Sequence, residues 1–519
     1  MSLSQDQYKF LMANLAGLSL ALPYRYIPKS FRNEFNYLPG ILMLFYCFGR
    51  QANSLVLFSA ISYAICRYTP RAYVQRVTLC SSLVFLSYAH LSRQIIDYGG
   101  YVLDISGPFM IAVQKMTSLG FCLYDGRILK DNLEAQELSS IRKSPNSTAS
   151  AAKDSVDSNN NINKNGERDI IDEDGVVENG SITSSVESRS VIDARQKSDV
   201  QGLTEEQKRF AVLERPNFSQ FMGYFFHFPT VLCGPIGYYN DYSEFVDTPP
   251  DKSLPPGRHL AVAKKLLISI TCTILHLTLN PRFEIDFLRS AEFLIHTPLL
   301  IRFYYILIFT MLSRLKYYVA WHLGEALSNA SGFGFSGYDA NGKPKWDLIS
   351  NMDLWKFETS LNFRDAIHAW NKTTQNWLRR TAYERAPRKL AVLSTYMLSA
   401  IWHGFYPGYY MTFLTGAMFT YASRNARFTI RPHFQRGTIL PKVYDVITFT
   451  LTRLSIAYVA FPFVILDFRN SYAIYKSLHY SIHLLAVGGL LLGLFVDKKT
   501  RPSESRTVVN NGNNKRHNE

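Results

Sequence analysis

The sequence predicts an all-α polytopic membrane protein, a bundle of about ten or eleven membrane helices. Three observations predict it. Hydrophobic residues make up 47% and aromatic residues 14% of 519 residues, although a long polar segment dilutes both. Several apolar runs reach the roughly 20 residues that a helix needs to cross a hydrocarbon core. The basic residues behind the net charge of +15 mostly flank those runs. In lipid every backbone polar group must be satisfied within the protein, so spanning segments are helices.

Apolar segments fall near 10–24, 38–66, 73–91, 99–123, 218–239, 260–279, 297–327, 390–421, 443–466 and 471–496. The first lacks the basic start and cleavage site of a signal peptide and reads as a retained helix. Arg50 and Gln51 cut the second into two short helices. Asp104 and Lys115 place the fourth partly in the interface or the protein interior. The net charge fits a basic cytoplasmic rim, and equally an attraction to anionic headgroups or a polyanionic substrate. Nucleic acid is a poor partner for basic residues arranged beside membrane spans. Six cysteines, none in a CxxC pair, read as small buried hydrophobes rather than a zinc or disulfide framework.

Composition divides the chain into N-terminal membrane helices (1–125), a polar loop (126–208), a second membrane region (209–497) and a polar tail (498–519). Residues 127–207 hold no aromatic side chain, and DSNNNINKNGERDIIDEDG cannot bury enough apolar surface to offset its ordering entropy. The loop and the tail are therefore expected to be disordered. The loop carries sequons at Asn146 and Asn179, which have no meaning if it is cytoplasmic. Residues 333–380 are Gly-rich and then amphipathic; Trp370 and Trp377, seven apart, are expected on one helical face. That face is either an interfacial aromatic belt or the wall of a site.

The stretch SAIWHGFYPGYY, Ser399–Tyr410, sits in 32 residues (390–421) free of Asp, Glu, Lys and Arg. As one helix this run would measure about 48 Å against a core of about 30 Å. Gly404, Pro407 and Gly408 mark a break, and a broken helix at membrane depth lines a cavity or lies inside protein. Arg385, Arg388 and Lys389 precede the run; Arg424, Arg427 and Arg431 follow it, so charge bias does not orient it. His403 thus stands beside a break at mid-membrane, where an ionisable residue marks function. The sequence has no HExxH, metal-ligand set, GxSxG elbow, P-loop or dinucleotide fingerprint. A histidine base without a protein nucleophile suits direct transfer: it takes a proton from a substrate hydroxyl, which attacks an activated carbonyl such as a thioester.

WHGFYPGY (Trp402 to Tyr409), preceded by WNKTTQNWL (Trp370 to Leu378), resembles the membrane-bound O-acyltransferase family, most closely its lysophospholipid acyltransferase branch. GYDANGKPKWDLISN with Trp346 and Asp347, HFPTVLCGP (227–235) and QKMTSLGFCLYDG (114–126) are also similar to that branch. The resemblance covers roughly 10–125 and 205–497, and the insert between departs from it. It implies a helical bundle with an internal tunnel, a catalytic core over 209–497, and His403 and Asn371 as the catalytic pair. Long-chain acyl-CoA would be the co-substrate, with no cofactor or metal, and a lysophospholipid in the bilayer would be the acceptor. The implied location is the endoplasmic reticulum membrane, and the implied position of transfer is sn-2. Candidate substrate contacts are Trp370, Lys372, Arg379, Arg380 and Trp402, with Arg388 and Lys389 as further cations for the CoA phosphates. Glu358 and Asp347 are expected to pair with this basic set. The rivals are another acceptor (sterol, diacylglycerol or protein serine) and a transporter with a proton-relay histidine. No second copy of the 370–410 pattern supports the latter.

Overall fold

A computed structural model describes residues 4–100, 103–143, 202–248 and 255–494. Helices dominate, and the only sheet among these residues is a two-stranded hairpin, Gly337–Tyr338 against Pro344–Lys345. The long helices are α1 (Gln5–Ala21), α2 (Arg32–Phe48), α3 (Ala52–Tyr68), α4 (Val74–Ile96) and α5 (Ser106–Lys143). The turn at Gly49–Gln51 separates α2 from α3, where Arg50 and Gln51 cut the apolar pattern. α5 runs through Gly126, so the domain boundary read from composition falls inside a helix. The polar loop beyond it, with both sequons, and the C-terminal tail lie outside the described residues.

The apolar run 218–239 forms only a short helix, α6 (Phe218–Phe225). Buried turns follow it, so no single helix fills this run; the Gly234–Pro235 peptide is cis. Next come α7 (Arg258–Leu279), α8 (Leu299–Ser331), and three short helices α9 (Leu354–Thr359), α10 (Phe363–Ala369) and α11 (Lys372–Leu378). The chain continues through α12 (Ala391–His403), α13 (Pro407–Ile430), α14 (Leu440–Ile465), α15 (Phe468–Ser477) and α16 (Ser481–Leu492).

By length and composition alone, three helical stretches among the described residues suffice to cross a membrane: Lys29–Tyr68, Arg258–Arg282 and Leu440–Ile465. Of the other long helices, α5 and α8 carry charges that the protein itself buries. Lys115 on α5 and Glu325 on α8 are both 2% exposed. Lys115 lies in the interior, where its ammonium donates to the Tyr224 and Phe225 carbonyls at 3.1 and 3.2 Å and to the Thr230 hydroxyl at 3.0 Å.

Two apolar clusters organise the bundle. The first gathers α1–α6 and includes Trp377 and Trp402. The second gathers α7, α8, α10 and α13–α16, with Trp370 packed against it. The WN and WHG segments therefore lie at the seam between the clusters.

Candidate active site

Helix α12 ends where the sequence stops supporting it. Gly404 adopts φ 120°, a left-handed conformation that side chains disfavour, and a Cβ there would sit 3.1 Å from the His90 ring. Tyr406 is extended, as a residue before proline prefers, and Pro407 opens α13. The break frees backbone groups that need partners. His90 Nε2 donates to the Trp402 carbonyl at 3.0 Å. Gly408 donates its N–H to the Leu466 carbonyl at 2.8 Å, and a Cβ on Gly408 would collide with the Pro462 carbonyl. The ends of α12, α13 and α14 are thereby locked together.

His403 is the last residue of α12. Its Nδ1 lies 2.7 Å from the Ser399 carbonyl oxygen. A carbonyl only accepts, so Nδ1 carries the proton, and the neutral ring presents its lone pair at Nε2. Among the described residues Nε2 makes no hydrogen bond, whereas Nδ1 is engaged. The ring is half-buried, bordered by Trp402, Phe413, Phe463 and Tyr409 with centroids 4.5 to 5.9 Å away.

Asn371 occupies the N-cap of α11 at φ 45°, ψ 51°, the left-handed region that asparagine tolerates better than most residues. A capping asparagine normally spends its side chain on the helix N–H groups. Here it does not. Asn351, 2% exposed, does that work: its Oδ1 accepts from Thr373 N–H at 3.1 Å and from the Thr373 hydroxyl at 2.7 Å. Its backbone carbonyl accepts from Lys372 N–H at 2.7 Å. Glu325, paired with Lys265, holds Asn351 from behind by accepting its N–H at 2.7 Å. The Asn371 amide is left without a capping task.

Helix α5 joins the two candidates. Gln114 donates to the Thr374 hydroxyl at 2.9 Å, and Trp377 Nε1 to the Thr117 hydroxyl at 2.7 Å. Trp402 Nε1 donates to the Met110 carbonyl at 2.9 Å. The Trp377 and Trp402 rings meet with centroids 5.7 Å apart, so α11 and α12 share one anchored aromatic contact.

The tryptophan spacing misleads. Asn371 breaks the helix between Trp370 and Trp377, so they do not share a face. Trp377 packs into the first cluster, whereas Trp370 packs on Tyr317, Tyr318, Trp321 and Phe357 in the second. Of the expected cations, Lys372, Arg379 and Arg380 are engaged with protein. Lys372 donates to the Ser350 hydroxyl at 3.0 Å; burial lowers its pKa, and Glu325 opposes that shift. Arg379 pairs with Glu206 and Glu384. Arg380, 4% exposed, lies between the Phe210 and Tyr238 rings near Asp125, and Arg385 pairs with Asp125 at 2.7 Å. Glu358 and Asp347 do not pair with this set. Glu358 binds Arg314 and Arg453, and Asp347 accepts from the Ser336 hydroxyl. His90 and Asn351 escaped the sequence reading, His90 because a histidine inside an unbroken helix carries no mark of a distant helix end. Among the described residues no group of His, Cys, Asp and Glu is placed to hold a metal.

Residues 85–461 match MBOAT, the membrane-bound O-acyltransferase family. Relatives include Lysophospholipid acyltransferase 6 of Drosophila melanogaster, 32% identical over 98% of this chain and 64% of its own length. Membrane-bound glycerophospholipid O-acyltransferase 2 of Gallus gallus is 30% identical over 96% of this chain and 86% of its own. Membrane-bound glycerophospholipid O-acyltransferase 1 of Mus musculus is 31% identical over 95% and 90%. The chain belongs to the membrane-bound O-acyltransferase family.

Proposed function

We propose that this protein is a lysophospholipid acyltransferase that moves a long-chain acyl group from acyl-CoA to the free glycerol hydroxyl of a lysophospholipid, at sn-2, in the endoplasmic reticulum membrane. The observation that carries the chemistry is His403 at a helix break, with Nδ1 bound to Ser399 and Nε2 unengaged. The names of the relatives support the acceptor class.

In this reading Nε2 takes the hydroxyl proton as the oxygen bonds to the thioester carbonyl carbon. The C–S bond then breaks, and the imidazolium returns the proton to the CoA thiolate. That thiolate is a good leaving group, since a thiol pKa lies near 8.5. Asn371 donates its amide N–H to the developing oxyanion or orients the acceptor. No acyl-enzyme forms, and acyl-CoA is a co-substrate rather than a bound cofactor.

The test uses purified protein with lysophospholipids of serine, ethanolamine, choline and inositol, a sterol, a diacylglycerol and several acyl-CoAs, read by mass spectrometry. A diacyl product with one free CoA per transfer is expected. Transfer to a sterol or diacylglycerol alone, or to none, would discard the proposal.

A further inference from the structure

Away from His403, the second apolar cluster encloses a charged group that the transfer chemistry does not use. Arg314 of α8 and Arg453 of α14 both bind Glu358 of α9, at 3.1 and 3.2 Å. Tyr318 donates its hydroxyl to the same carboxylate at 2.7 Å and accepts from Arg314 Nε at 3.2 Å. The two guanidinium groups also lie 5.2 and 5.4 Å from the Phe357 ring centroid. Two cations face one anion, so the group keeps one uncompensated positive charge. Both arginine side chains are only 11% exposed, and Glu358, at 29%, is its most open member.

The hydrogen bonds are also incomplete. Arg314 spends its donors on Glu358 and Tyr318. Arg453 uses only Nη1: its Nε and Nη2 are buried with no partner among the described residues. An unsatisfied buried donor on a charged group is among the costliest arrangements a protein holds. Charged residues inside a membrane bundle mark substrate pathways. An arginine offering Nε and Nη2 side by side matches the paired oxygens of a phosphate.

We infer that Arg453, supported by Arg314 and Glu358, forms a phosphate-binding subsite for one of the two substrates. The inference rests on the acyltransferase reading for its ligands. Phe357 touches both guanidinium groups and, at 5.2 Å, the ring of Trp370, next to Asn371. The subsite therefore adjoins the candidate centre. Arg453 also stands ten residues before Phe463, which borders His403, or about 15 Å along α14. Four bonds link an sn-2 hydroxyl oxygen to its phosphorus, a span of only about 6 Å. The distance therefore favours the phosphates of the extended CoA donor over that of the acceptor.

The experiment compares wild type with Arg453→Lys, which keeps the charge but loses the fork, and with Arg453→Gln. Elution as a single species and thermal melting report folding. KM for acyl-CoA is expected to rise about tenfold or more in both variants, by more than kcat falls. A rise in KM for the lysophospholipid alone would support the subsite and assign it to the acceptor. Binding of CoA and of lysophospholipid, measured without turnover by thermal shift, supplies an independent arm. If wild type transfers nothing, the functional reading fails while this arm still reports on the subsite. Unchanged KM values and unchanged binding in both folded variants would overturn the inference.

Discussion

His403 and His483 both stand next to a break in an apolar run, and they differ in how their ring nitrogens are used. His483 follows the kink at His479 and Tyr480, which have φ 54° and 50°. Both its nitrogens are engaged, Nδ1 with the Tyr458 hydroxyl at 2.7 Å and Nε2 with the Thr415 hydroxyl at 3.4 Å. His403 binds protein through one nitrogen and keeps the other unengaged. Neither a membrane setting nor a nearby break distinguishes the two. A nitrogen left over after the local hydrogen bonds are made does.

The sharpest way to break this comparison is to exchange each histidine. His403→Ala should lower transfer by about 10²–10⁴, with a single species still eluting on size exclusion; wild-type turnover in that variant would refute the base assignment. Next in size is Asn371. Asn371→Gly accepts the positive φ without strain but removes the amide, so a loss of about 10²–10³ in kcat would be due to the lost donor. Turnover equal to wild type would leave Asn371 a backbone role only. His90→Ala should mainly destabilise, by about 1–3 kcal/mol, because the Trp402 carbonyl loses its buried partner. Its kcat should fall severalfold as the end of α12 loosens, and an unaltered melting temperature would remove the capping role. The smallest catalytic change is expected for His483→Ala, which should lower melting temperature while turnover per folded molecule stays within about twofold. A catalytic loss there as large as that of His403→Ala would erase the distinction.

Much of this was legible in the sequence where a residue type forces the backbone. Gly404 and Pro407 located the break, and Arg50 with Gln51 located the turn between α2 and α3. What escaped depends on partners distant in the chain. Trp370 and Trp377 have the spacing of a helical face, but Asn371 turns the backbone between them, and asparagine does so too rarely to predict. The basic residues after Asn371 were visible, yet not their acidic partners. Glu206 and Asp125 lie 173 and 260 residues before the arginines they meet. His90 sits 312 residues from the carbonyl it caps, and Asn351 holds α11 from a loop. Helix α5 continues past the compositional change at 126, because composition changes where burial ends, whereas a helix continues as long as its backbone bonds do.

The lysine inside α5 has a consequence for how the protein is made. Its first carbonyl partner is synthesised 109 residues later and its hydroxyl partner 115 residues later. At about 5–20 residues per second that is a delay of roughly 6–23 s. An ammonium buried in apolar surroundings without acceptors carries an uncompensated desolvation cost until they arrive. During that interval α5 must be sheltered by the insertion machinery or by α1–α4, so the half of the bundle that carries Lys115 cannot settle into its final form before the chain that follows has begun to arrive.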